Sequence, residues 1–232
     1  MTEAEWLVCE NPHAMWSSVW ERTDHRKWRL MLCAMCRRIR AHLSEQAREL
    51  LLTYEQYIES PAPTLAEYLQ VEEAIRHANT NALSAEDLTV IYTAWDERGK
   101  YEEQIMDLAA GCNDPHLDFF GRYQDATDEE GGQYTESVRQ SIARELAAEA
   151  ELIRDVLGNP FRPVPFAPEW RTDTAVALAR QMYEAHDFSA LPILADALQD
   201  AGCDSDDVLN HCRGSGSHVR GCWVVDLVLG KE

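Results

Sequence analysis

The sequence predicts an all-α protein, an irregular multi-helix bundle, and three observations predict it. Apolar residues recur at i, i+3 and i+4 along most of the chain, capping residues open the segments that carry this period, and Gly or Pro closes them. Strand-like alternation is confined to the last dozen residues, where no partner strand is evident.

The opening reads as short capped helices. Thr2 and Glu5 have capping-box spacing, and Asn11 followed by Pro12 places a cap and an N1 proline ahead of a helix over His13 to Glu21. From Asp24 as N-cap the spacing predicts a longer helix to about Leu43, its buried face made by Trp28, Met31, Leu32, Met35, Ile39 and Leu43. Ser44 starts a helix through Tyr57, the prolines of 61–63 break it, and Thr64 with Glu67 forms another capping box ahead of Leu65 to His77. Helical patterns follow from Ser84 through Trp95 and around Tyr101 to Ala110.

Between Gly111 and Tyr134 the period fades, and DATDEEGG at 125–132 reads as an exposed acidic loop. Thr135 then opens a long helix with a stripe at Val138, Ile142, Leu146, Ile153 and Val156, which Gly158-Asn159-Pro160 ends. Phe161 to Pro168 carries three prolines and is expected to be extended. Helices are expected over Thr174 to His186, Ser189 to Ala201 and Ser205 to Cys212, with Gly202 as a stop and Asp204, Asp206 and Asp207 as capping residues. Helix is also the expectation for Val219 to Leu229. The chain reads as one helical domain, 1–232, with sub-units 1–124 and 133–232 conceivable on either side of the acidic loop.

Charge and composition exclude several classes. With 41 acidic against 21 basic residues the formal charge is −20, which repels a phosphate backbone, so nucleic-acid binding is expected only through a local basic element. MTEAEWLVCE lacks the basic start and apolar run of a signal peptide, and no stretch reaches the roughly 18 apolar residues of a membrane span, so a cytoplasmic protein is expected. Seven cysteines set among helical patterns read as reduced thiols.

Three constellations could carry chemistry. Arg26, Arg29, Cys33, Arg37 and Arg40 follow 3, 4, 4, 3 spacing on the first long helix and form one stripe opposite its apolar face. Residues 24–42 hold six basic and one acidic residue, net +5, leaving −25 for the rest of the chain. Such a stripe could bind an anion or an acidic partner, or make Cys33 a reactive thiolate. The simpler reading is neutralisation within the protein by Glu45, Glu49, Glu72 or Glu149.

The second constellation is C-terminal: Cys203, His211, Cys212, His218 and Cys222, in a segment containing a GSGS turn. Thiolate and imidazole are the ligands zinc prefers, and His218 with Cys222 at i, i+4 would face one way on a helix. The spacing is not that of a standard finger or ribbon, so the sequence commits to no metal: the cysteines are expected to pack the core and His218 to cap or line a helix start, with zinc as the alternative. The third is His186-Asp187, the doublet seen in HD-type phosphohydrolases, here placed where a helix should end. No Walker loop, dinucleotide fingerprint, G-x-S-x-G or H-E-x-x-H is present.

The opening EWLVCENPHAM with RKWRLMLCAMCRRI, and the ending LIRDVLGNPFRPV with LPILADALQDAGCDSDDVLNHCRGSGSHVRGCWVVDLVLG, resemble an uncharacterised family of planctomycete-type bacterial proteins. That family usually carries adjacent cysteines before the paired arginines, whereas here Met35 separates Ala34 from Cys36. The resemblance implies a bacterial module and names no reaction. The function expected from the sequence is therefore a non-enzymatic protein-interaction module or accessory subunit, with a metal- or thiol-dependent small enzyme as the alternative and a nucleic-acid accessory factor using the basic helix as the third class.

Overall fold

The computed structural model describes residues 1–60, 64–81, 90 and 136–231. The prolines of 61–63, the helical patterns from Ser84 to Ala110 and the acidic loop 125–132 lie outside the described residues. The described chain is all-α, without a strand, and no described helix is long and apolar enough to cross a membrane.

The helices are α1 (Glu3–Val8), α2 (Pro12–Val19), α3 (His25–Arg38), α4 (Glu45–Glu59), α5 (Leu65–Asn81), α6 (Glu136–Leu157), α7 (Asp173–Ala185), α8 (Leu191–Asp200), α9 (Asp206–Arg213) and α10 (Trp223–Leu229). Their starts follow the capping chemistry. Thr2 and Glu5 exchange both hydrogen bonds of a capping box, Asn11 Oδ1 accepts from the Ala14 amide, Asp24 caps α3, and Ser44 caps α4. Thr64 and Glu67 form the second box.

α3 stops at Arg38, five residues short of the expected Leu43, although Ile39 and Leu43 keep the apolar period. A 3₁₀ turn at Arg40–His42 intervenes, and the Arg48 guanidinium takes the Arg40 and Ala41 carbonyls at 3.1 and 3.4 Å. Carbonyls that a longer helix would have used internally are thereby satisfied, and Ser44 begins α4 at once. Ile39 and Leu43 still bury.

Three apolar clusters run into one another. α1, α2, α3 and α6 share the first, around Trp6, Met15, the stacked Trp16 and Trp28, Met31, Ile153 and Val156. The other face of α3 packs with α4 and α5 around Cys36, Ile39, Leu50 and Tyr54. α7 to α10 enclose the third, with Leu194, Leu198, Val208, Cys212 and Val224. α3 is thus covered on more than one side, and α6, which follows the acidic segment 125–132 in the sequence, shares its core with the N-terminal helices.

Buried ion pairs join the C-terminal helices to the rest. Arg26 donates to Asp226 at 2.8 Å and to Tyr183 Oη, and lies 2.8 Å from Glu59; Lys27 reaches Asp226 at 2.6 Å, and Lys231 closes on Glu59. Asp226 is 1% exposed, so its charge is tolerable only because two cations meet it.

Candidate metal centre

Asp155, His211, His218 and Cys222 converge so that one donor atom from each lies within 4.8 Å of every other. Asp155 stands in the last turn of α6, which Gly158 ends in a left-handed conformation at φ +66°. His211 occupies the last turn of α9. Residues 214–217, GSGS, reverse the chain, and His218 follows in a loop that passes over α6. Cys222 is the residue before α10.

The approach of that loop to the bundle requires a glycine. Gly221 has φ +95°, and a Cβ there would lie 3.1 Å from the Leu30 side chain on α3. Lys27 Nζ donates to the Gly221 carbonyl at 2.8 Å, fixing the peptide beside the site.

Asp155 is the hub. Its Oδ1 lies 2.6 Å from His218 Nδ1 and 3.2 Å from His211 Nε2, while Oδ2 accepts from the Val219 amide at 2.9 Å. Burial pushes this carboxyl up, yet the hydrogen bonds from His211 and His218 outweigh it and hold Asp155 below the usual carboxylate range. It is therefore an anion, 4% exposed, facing two imidazoles.

Cys222 is fully buried, with Sγ 3.2 Å from His211 Nε2. Burial, and then the Asp155 charge, raise its thiol far above the ordinary range. The pair does not make a nucleophile and base. Trp223 Nε1, which can only donate, gives its hydrogen to His211 Nδ1 at 3.1 Å, so the accepting nitrogen of a neutral His211 is already engaged. Nε2 carries the proton and donates toward Asp155 and Cys222, so it cannot take the thiol's.

Two features bear on a metal ion. Zinc bonds of about 2.0 Å to nitrogen or oxygen and 2.3 Å to sulfur give tetrahedral edges of about 3.3 to 3.6 Å, close to the 3.2 Å separations around His211 Nε2. The shorter edge, from His218 Nδ1 to Asp155, is a hydrogen bond that would have to open by some tenths of an ångström for an ion to replace its proton. Second, His218 is nine-tenths buried and its Nε2 has no hydrogen-bond partner. That orphan is the ring nitrogen away from Asp155, so an ion held through Nδ1 would leave it as it is.

Comparison with protein-family models, with curated proteins and with solved structures gives no match.

The structure brings together His211, His218 and Cys222 and separates Cys203 and Cys212 from them. The latter two are buried in the core of the C-terminal helices, and burial pushes the Cys212 thiol up to about 12. The expected i, i+4 helical face does not carry the site, because residues 218–222 precede α10 and converge through the turn instead. Asp155 is the candidate ligand that the sequence did not flag. Its signal was an acid three residues after Leu152, in the register of the buried face of α6.

The stripe on α3 is resolved differently from the expectation that it lies opposite the apolar face. Cys33 is 1% exposed, and burial, with Glu55 nearby, raises its thiol well above the ordinary range, so it is not a reactive thiolate. Arg26 is committed to Asp226 and Glu59, and Arg37 forks onto Glu55, whose 2.5 Å partner is Arg37 Nε. Arg38 forks onto Glu145 at 2.6 and 2.8 Å. Neutralisation is internal, by ion pairs to Glu55, Glu59, Glu145 and Asp226 and, from the set named from sequence, by the charge of Glu149 acting on Arg38, because α3 lies between neighbours that each contribute a carboxylate at its edge. Arg29 is half-buried; Arg40 is exposed in the turn after α3.

The His186-Asp187 doublet is not a metal pair here. His186 ends α7 at φ +52° and meets Glu55 at 3.1 Å, while Asp187 accepts from the Ser189 amide.

Proposed function

We propose that this chain is a metal-binding, non-enzymatic interaction module in which an ion of the zinc class fastens the C-terminal helices to α6. The observation that carries this reading is the convergence of Asp155, His211, His218 and Cys222. Two imidazoles, one thiol and one carboxylate form a mixed set suited to zinc, and four protein ligands leave no position for a substrate. Three of the four come from twelve residues spaced H-x6-H-x3-C, so one ion orders the turn at 214–217 and ties it to a helix 56 residues upstream of His211.

The partner in this reading is another protein. With the α3 cations engaged by carboxylates of neighbouring helices, the chain's net −20 makes a basic protein surface the complementary face. Residues 26–40 thus support the scaffold, and a duplex or single strand finds few uncommitted cations there. The bacterial resemblance of the two chain ends adds origin and no reaction.

Cobalt(II) reports on the centre directly, because a thiolate bound to it gives a charge-transfer band that an all-oxygen or all-nitrogen site lacks. Titration is expected to saturate at one cobalt per chain, with the band lost in Cys222→Ser and retained in Cys203→Ser. A band that survives Cys222→Ser, or that needs Cys203, would remove the assignment.

A further inference from the structure

A cavity of about 590 Å³, lined from α1, the start of α3, the end of α6 and α10, gathers the cations Arg22, Lys27, Arg154, Arg162 and Lys231. Three of these are matched: Lys27 by Asp226, Lys231 by Glu59, and Arg162 by Glu3 and Asp207. The remaining carboxylate on the wall, Asp24, accepts from the Arg26 amide at 2.8 Å and faces the positive end of α3.

Arg22 and Arg154 have no carboxylate partner among the described residues. Arg22 is exposed at the end of the 3₁₀ turn that follows α2, where its guanidinium lies 5.2 Å from the Phe161 ring centroid and reaches only the Ser18 carbonyl, at 3.5 Å. Arg154 is half-buried in the last turn of α6 and gives Nη1 hydrogens to the Trp6 and Cys9 carbonyls at 3.1 and 2.8 Å and to the Met15 sulfur. Every hydrogen bond it makes among the described residues comes from that one nitrogen, so Nε and Nη2 remain open donors. Phe161, beneath Arg22, packs edge-on against Trp6 at 6.1 Å, and Arg154 holds the Trp6 carbonyl; the two guanidiniums therefore flank one aromatic pair. Acidic residues outnumber basic ones by twenty in this chain, yet these two cations are left unmatched. Much of the remaining wall is apolar, with Leu157, Val164, the Trp223 ring and Leu7, which is 52% exposed.

We propose that this cavity binds a phosphate monoester with an aromatic or aliphatic body, its anionic head met by Arg22 and Arg154. A dianion offsets both unmatched charges, guanidinium forks suit phosphate oxygens, and the apolar wall takes the body of the ligand. The volume is that of a small-molecule site. The proposal needs no ion at the neighbouring centre.

The test titrates phenyl phosphate into the full, metal-free chain labelled with ¹⁵N at tryptophan, so that the zinc reading and this one can fail separately. Saturation at one per chain is expected, with the indole resonances of Trp6 and Trp223 moving and that of Trp170, which packs in the core of the C-terminal helices, unmoved. Inorganic phosphate and phenol should each bind about tenfold more weakly or worse, since each lacks one half of what the cavity recognises. Arg22→Gln, which alters an exposed side chain, should weaken phenyl phosphate about tenfold. Arg180→Gln removes the same charge away from the cavity and should change the affinity by less than about twofold. No saturable binding, equal losses in the two variants, phenol bound as tightly as phenyl phosphate, or a shift of Trp170 as large as that of Trp6 overturns the proposal.

Discussion

Asp155→Ala is expected to destabilise the metal-free protein by about 3 to 5 kcal/mol, the range for removing one member of a buried charged network. The carboxylate accepts from His218, from His211 and from the Val219 amide, and alanine leaves the first and last without this acceptor and His211 with only the Cys222 sulfur. Asn keeps an acceptor for the Val219 amide and so costs less. The groups facing Asp155 are His211, His218 and Cys222, which fixes the sign of the pH dependence. Its native pKa is lowered, so its contribution is complete above the ordinary carboxylate range and disappears as pH falls through that range toward the native value. Urea unfolding of wild type and Asp155→Ala at pH 7 and again near pH 3 should show a wide gap that narrows in acid. A gap of equal size at both values would mean that the charge of Asp155 does not stabilise the fold.

Zinc itself should raise the melting temperature by about 10 °C at a free concentration of about a thousand times its Kd. That excess corresponds to about 4 kcal/mol of stabilisation, and each kcal/mol moves the transition of a chain this size by about 2 to 4 °C. Magnesium at the same concentration should have little effect, since it demands hard oxygen ligands in an octahedron and the centre offers one carboxylate, two imidazoles and a thiol. Cys222→Ser should melt near wild type in chelator and lose most of the zinc increment. Equal responses to zinc and magnesium would point to nonspecific binding by the acidic surface rather than to this site.

Much of the architecture was legible because capping is local. Thr2 with Glu5, Asn11 with Pro12, Ser44, and Thr64 with Glu67 place four helix starts within a residue of where they occur, since each side chain satisfies an amide only three positions away. The end of α3 was not legible, because Ile39 and Leu43 keep the apolar period through a break made by the Arg48 side chain and the Ser44 cap. Periodicity likewise misjudged the Arg26 to Arg40 stripe. It separates polar from apolar faces, but it cannot tell that carboxylates from α4, α6 and α10 line the polar one.

The site was partly legible for a related reason. His211, His218 and Cys222 stand close in sequence, so composition flagged them, along with Cys203 and Cys212, which share the residue type but point into the apolar cluster of α8 to α10. Which cysteine faces the histidines is decided by the turn at 214–217 and by Gly221, whose backbone lets the loop pass against Leu30. Asp155 comes from another helix altogether, and only packing brings it there.

The most direct test of the account is the native mass spectrum of the chain after exposure to stoichiometric zinc, set beside its denatured mass. The account predicts an excess of one zinc per chain in the wild type and none in His218→Ala/Cys222→Ala. A metal-free wild-type mass, or one zinc retained by the double variant, would contradict it.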